Sequence, residues 1–205
     1  MILFLEIIGT IAFAISGASV GIRRRMDLFG VAILAMTTAV GGGIIRDIIL
    51  NITPPAAFRQ PVFALSAIAV GIAVFFIEAR KLFVHKPRLY ETTLLWMDSL
   101  GLGIFTVSGI QVALTGVAES NAFLAVFVGV VTGVGGGVLR DIMSGNTPVI
   151  FVKHFYASAA LAGAIVCAAL WRPLGPLPGM LTGAGVIVVL RVMAAHFHWS
   201  LPRIR

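Results

Sequence analysis

Three glycines followed, after two apolar residues, by an arginine and an aspartate occur twice in the 205-residue chain: Gly41-Gly42-Gly43-Ile44-Ile45-Arg46-Asp47 and Gly135-Gly136-Gly137-Val138-Leu139-Arg140-Asp141. The two copies stand 94 residues apart and stay in register, without a gap, from Thr38/Thr132 to Pro54/Pro148. Both lie in stretches apolar enough for a membrane, where an ion pair is expensive and marks either a substrate path or a structural clamp. Three consecutive glycines strip a full helical turn of side chains and weaken it. They predict a broken helix whose free carbonyls attract cations and whose free N–H groups attract anions. Ends of that kind form midplane sites in transporters and line selectivity regions in channels.

The pore or substrate path is therefore expected at Gly41, Gly42, Gly43, Arg46, Asp47, Gly135, Gly136, Gly137, Arg140 and Asp141. Asp47 and Asp141 are the residues expected to face a cation. The arginines are open between lining the path and clamping freed carbonyls, with each aspartate capping a neighbour. Glycines can also serve close packing, but the spacing of Gly17-x-x-x-Gly21, Gly129-x-x-x-Gly133 and Gly179-x-x-x-Gly183 suits that role better. Ser16, Ser108 and Thr132 are hydroxyls on the same helices. A lone hydroxyl usually bonds back to its own helix, yet Ser16 and Ser108 occupy matching positions before a glycine.

The elements that position these residues follow from composition. Hydrophobic residues make up 59% and charged residues 11%, against about 25% charged in soluble domains. The chain reads as an all-α integral membrane protein. Apolar runs of spanning length, about 20 residues each, lie at roughly 2–21, 29–49, 62–79, 92–115, 121–143, 154–171 and 179–198. Seven spans divide the basic residues unevenly. One side receives Arg23, Arg24, Arg25, Arg80, Lys81, Lys86, Arg88, Lys153, Arg191, Arg203 and Arg205, and the other only Arg59 and Arg172. The positive-inside rule makes the first side cytoplasmic, with the N-terminus outside and the C-terminus inside. The net charge of +7 is thus a topology signal, and no nucleic acid is expected. The basic cluster follows the first apolar run, which is the wrong polarity for a signal peptide. No catalytic triad, nucleotide loop or metal-ligand spacing occurs, so neither an enzyme nor a cofactor is expected.

Similarity extends beyond the glycines. Glu6-x-x-Gly9 with Phe13 and Ser16-Gly17 matches Asp98-x-x-Gly101 with Phe105 and Ser108-Gly109, here 92 residues apart. Two three-helix repeats follow, 1–80 and 91–171, joined by a basic cytoplasmic linker at 81–90, with a seventh helix and tail at 172–205. An odd helix number inserts the second copy upside down, as inverted repeats about an axis in the membrane plane. Glu6 then falls at the outer mouth with Arg46, and Asp98 at the inner mouth with Arg140. The two motifs are expected to meet near the membrane centre and share one path.

Duplicated Gly-Gly-Gly-x-x-Arg-Asp with a downstream proline, in a seven-span chain of this length, resembles the prokaryotic relatives of the TRIC (trimeric intracellular cation) channels. That bacterial membrane family is also described as glycine transporters. The resemblance implies a homotrimer in which each protomer holds an hourglass water path lined by the second and fifth spans, kinked at Gly41–Gly43 and Gly135–Gly137. It implies permeation by K⁺, and by Na⁺ as well, with membrane lipid around the trimer. The alternative it implies is a glycine carrier using the same site. Animal members carry a Lys-Glu pair linked to lipid binding where this chain has Arg46-Asp47, so phosphoinositide control is not expected here.

Overall fold

The computed structural model describes residues 2–79, 87–116, 121–152, 155–197 and 199. Most of the basic linker, Lys153 and the basic tail, all used above for topology, lie outside them. Nine helices occur among the described residues: α1 (Ile2–Arg23), α2 (Leu28–Ile49), α3 (Ala56–Arg59), α4 (Val62–Ala79), α5 (Pro87–Thr115), α6 (Ala122–Met143), α7 (Val149–Val152), α8 (Ala157–Trp171) and α9 (Pro176–His196). Five of them, α1, α2, α5, α6 and α9, are long and apolar enough to cross a membrane, while α4 and α8 are shorter apolar helices. At 1.5 Å per residue the 22-residue α2 and α6 reach about 33 Å, and the 15-residue α8 only about 22 Å. The short helices occupy equivalent places, each following a four-residue helix (α3 or α7) downstream of a Thr-Pro pair.

The two motif helices begin and end alike. Asp27 and Asn121 are their N-caps, accepting from the N–H groups of Gly30 (2.7 Å) and Leu124 (3.0 Å), which satisfies donors left open by the first turn. At the other end Asn51 (φ 55°) and Gly145 (φ 68°), again 94 apart, adopt the left-handed conformation. The next residues, Ile52 and Asn146, donate back to the carbonyls of Asp47 and Asp141 at 2.8 Å. This is the bonding of a Schellman motif. Both helices therefore stop at their Arg-Asp pair for the same local reason.

Between those ends α2 and α6 are continuous, which corrects the expected break at the triple glycines. A glycine costs a helix interior only about 1 kcal/mol, and here tertiary packing more than offsets it. A methyl group on Gly42 would sit 2.1 Å from the Thr132 carbonyl oxygen, and one on Gly136 would sit 2.1 Å from that of Thr38. The glycines let two antiparallel helices touch backbone to backbone. The nearest of these contacts are returned at equivalent positions. Gly41 faces Leu139 as Gly135 faces Ile45, and Gly101 seats Phe13 as Gly9 meets Phe105. The Phe13 and Phe105 rings lie 5.3 Å apart between the copies.

Around this crossing, α1 packs against α2 and α5, α5 against α6, and α4 closes over α1 and α2. On the other side α9 packs against α8 and α5. The small-residue pairs behave as their spacing predicts. Gly129 and Gly133 admit Ile110 and Thr106 of α5, Gly17 and Gly21 admit α2, and Gly183 meets Cys167 and Gly163 of α8. Gly136→Ala is expected to force α2 and α6 apart, costing about 1–3 kcal/mol and lowering the thermal midpoint in detergent by roughly 5 °C. Gly185→Ala, where a methyl would meet nothing within 4 Å, leaves that midpoint unchanged or slightly raised.

Candidate functional site

Gly43 and Gly137, the third glycine of each motif, do a different job from the first two. Arginine stands three residues later on the same helical face. A methyl at either glycine would lie 3.7 Å (Arg46) or 3.8 Å (Arg140) from a guanidinium nitrogen, and at Gly137 also 2.9 Å from the Tyr156 hydroxyl. The guanidinium distances are ordinary van der Waals contacts, so a methyl would crowd only the Tyr156 hydroxyl beside Gly137.

Arg140 is only 2% exposed, yet its guanidinium is well bonded. Nε donates to Asp141 Oδ1 at 2.9 Å, and Nη1 donates to Asp98 Oδ1 at 2.7 Å and to the Ser16 hydroxyl. Asp141 uses its other oxygen, Oδ2, to accept from the Val149 N–H at 2.9 Å, which fixes the start of α7. The first motif repeats the core of this arrangement. Arg46 Nε donates to Asp47 Oδ1 at 2.8 Å, and Asp47 Oδ2 accepts from the Ala56 N–H at 2.7 Å, at the start of α3. The acceptor reaches nine residues ahead here and eight in the other copy. Proline lacks an N–H, and the extra Pro55 moves the first available donor on by one.

Both aspartates thus sit buried with their two oxygens engaged by an arginine and a backbone N–H. That is the clamp arrangement in which each carboxylate caps a neighbouring segment. Ser16 and Ser108 reach across the repeats: Ser16 of α1 meets Arg140 of α6, and Ser108 of α5 donates to Glu6 Oε1 of α1 at 2.6 Å. Thr132 instead bonds back to the Val128 carbonyl at 2.6 Å, as Thr38 does to that of Leu34. Asp98 joins Arg140 as expected. Glu6 does not repeat this with Arg46, and among the described residues no ion pair within 4.0 Å links them.

Two participants escaped the sequence. Arg191, counted above as a cytoplasmic topology charge, is buried in the bundle, with Nη2 3.6 Å from Asp98 Oδ2 and its guanidinium 4.6 Å from the centre of the Tyr156 ring. A lone arginine within an apolar span was the available signal. The second, Tyr156, lies near the end of an apolar run yet is buried beside Gly137. The cluster opens into a cavity of about 770 Å³ lined by Arg23, Tyr90, Asp98, Arg140, Arg191 and Trp199 among others. A second cavity of about 340 Å³ adjoins it through Arg23 and Tyr90, whose guanidinium and ring stack at 4.3 Å.

A family model described as glycine transporter matches residues 3–79 and again residues 95–172. The chain belongs to that family. The UPF0126 inner membrane protein YadS of Escherichia coli K12 is 35% identical over 205 residues, spanning 98% of this chain and 95% of that protein. Among solved structures, one from work on conductance through TRIC cation channels matches with a TM-score of 0.86 and 35% identity, over 98% of this chain and 96% of that one. The TRIC orthologue from Rhodobacter sphaeroides matches with a TM-score of 0.87 and 32% identity, over 97% and 98%. The protein is a multi-pass membrane homologue of the prokaryotic TRIC channels.

Breaking one member of a buried pair strands the other charge. Asp141→Asn and Arg140→Gln are each expected to cost about 3 kcal/mol. The double variant should lose less than the sum of the two singles, because the Arg140–Asp141 contact is counted in both, while the bonds to Asp98 and Val149 belong to one residue each. Thermal denaturation of the four proteins in one detergent checks this; additive losses would show that the pair is uncoupled.

Proposed function

We propose that the protein is a monovalent cation channel that passes K⁺ preferentially and Na⁺ as well, with one pore in each protomer of a homotrimer. The observation that carries this reading is the likeness to TRIC cation channels over nearly the whole length of both chains at 35% identity. Such a channel suits an inner membrane, with the N-terminus outside and the C-terminus cytoplasmic. The proposed architecture is two inverted three-helix units, 1–80 and 91–171, with the seventh helix completing the bundle.

The proposed path enters from the 770 Å³ vestibule beside Asp98, Arg140 and Ser16, skirts the crossing of α2 and α6, and leaves beside Ser108, Glu6 and Arg46. Each mouth draws side chains from both repeats, so neither half holds a complete one. Since Asp47 and Asp141 have both oxygens engaged, their part is to fix the walls. Asp98 is held by Arg140 and Arg191 and shapes the field of its mouth. Glu6, bonded among the described residues only by the Ser108 hydroxyl, is the carboxylate left to meet a cation. Glycine transport is the second reading, favoured by the family's description and by the guanidinium–carboxylate pairs, which suit a zwitterion. A vestibule in the size range of pockets for drug-sized ligands is too wide to enclose glycine on all sides.

Flux from liposomes holding the purified trimer tests the choice. Unitary K⁺ currents are expected, and Asp98→Asn should cut them about tenfold, by leaving Arg191 uncompensated at the mouth. Saturable glycine uptake without unitary currents would establish the carrier instead.

A further inference from the structure

Asp98 and Glu6 are equivalent in the two repeats, but their surroundings differ in charge. Asp98 lies within reach of two guanidiniums, Arg140 at 2.7 Å and Arg191 at 3.6 Å. Glu6 accepts a hydroxyl from Ser108, and among the described residues no cation stands within 4.0 Å of it. The second guanidinium at Asp98 comes from α9, a helix with no counterpart in the first repeat. It is held in place by burial, by the Tyr156 ring and by packing of α9 on α5 and α8.

The remaining charges near the two mouths do not reverse that difference, since Arg24, in the cavity adjoining the vestibule, adds a cation on the Asp98 side. Arg23 and Glu91, of opposite sign, both line the vestibule. In each motif the Arg-Asp pair is internally neutral. Arg59, downstream of the outer motif, lies on a helix without a buried residue, where solvent screens it.

Resting on the cation-channel reading, we infer that Arg191 is the residue that makes conduction asymmetric. It cancels the carboxylate at the Asp98 mouth while Glu6 keeps its charge at the other, so cations gather more readily at the Glu6 mouth. A mouth with fixed negative charge raises the local cation concentration and the entry rate. Current should therefore be larger when cations enter past Glu6 than when they enter past Asp98. Arg191 is a positioning residue for the field and need not touch the ion.

Single-channel recording in symmetrical KCl tests this, taking the ratio of currents at equal positive and negative voltages. Both directions are read from each inserted molecule, so its orientation in the bilayer does not matter. The wild type is expected to rectify by about twofold at low salt, fading toward 1 M KCl, where the screening length falls to about 3 Å. Arg191→Gln should raise the smaller current and bring the ratio to one. Glu6→Gln should reach the same ratio by lowering the larger current. Arg191→Lys keeps the charge and should keep the rectification. Equal currents in both directions for the wild type, or an unchanged ratio in folded Arg191→Gln, would overturn the inference while leaving the channel standing. Should Arg191→Gln fail to fold, an unchanged ratio in Glu6→Gln overturns it equally. Absence of any cation current in the wild type would remove the channel reading, and this inference with it.

Discussion

The backbone contact between Gly42 and Gly136 is the constraint on which the rest of the bundle depends. Two helices of ordinary residues approach to 8–10 Å. At this crossing each glycine would meet the partner's carbonyl at 2.1 Å if it carried even a methyl group. That closeness lets α1 and α5 fold over the same point from either side, with Phe13 and Phe105 meeting between the copies. It also sets how far the Arg-Asp pairs stand from the centre, since each follows its glycines on an unbroken helix. Between apolar helices in a bilayer there is little hydrophobic drive to associate, so small residues and close van der Waals contact supply it.

The buried charges then fasten what the glycines bring together. Each Arg-Asp pair ends a helix and pins the start of the next one, through the N–H of Ala56 or Val149. A carboxylate that accepts from both a guanidinium and a backbone N–H is well compensated for leaving water. The same arginine reaches outward on the α6 side, to Asp98 of α5 and Ser16 of α1. One guanidinium thereby ties three helices from two repeats and also lines the cavity of about 770 Å³.

Duplication supplies symmetry, and the unpaired helix removes it. The closest glycine contacts of α2 with α6 are returned in the opposite sense, and the Gly–Phe contacts of α1 with α5 recur in both directions. Those around Asp98 and Glu6 are not, because α9 adds Arg191 to one of them. In a path with a two-fold related wall, such an added charge is the simplest source of direction.

Much was legible in the chain alone. Composition and the spacing of apolar runs determined a helical membrane bundle, and the constant 94-residue offset determined two copies whose equivalent residues would meet. The pairing of Arg140 with Asp98 followed from topology, because an odd helix number puts them at one mouth. Tertiary structure decided what the glycines do. Local propensity says that three in a row weaken a helix, and only the arrival of a partner backbone turns their bareness into contact that accompanies a continuous helix. It decided the aspartates' role as well, because the N–H groups of Ala56 and Val149 reach them only after the chain has turned back. Arg191 carried a signal, a lone charge in an apolar span, but its partner lies 93 residues away on a helix that no repeat relates to its own. Sequence periodicity reports what a helix presents to its surroundings; which charge waits there is a property of the assembled bundle.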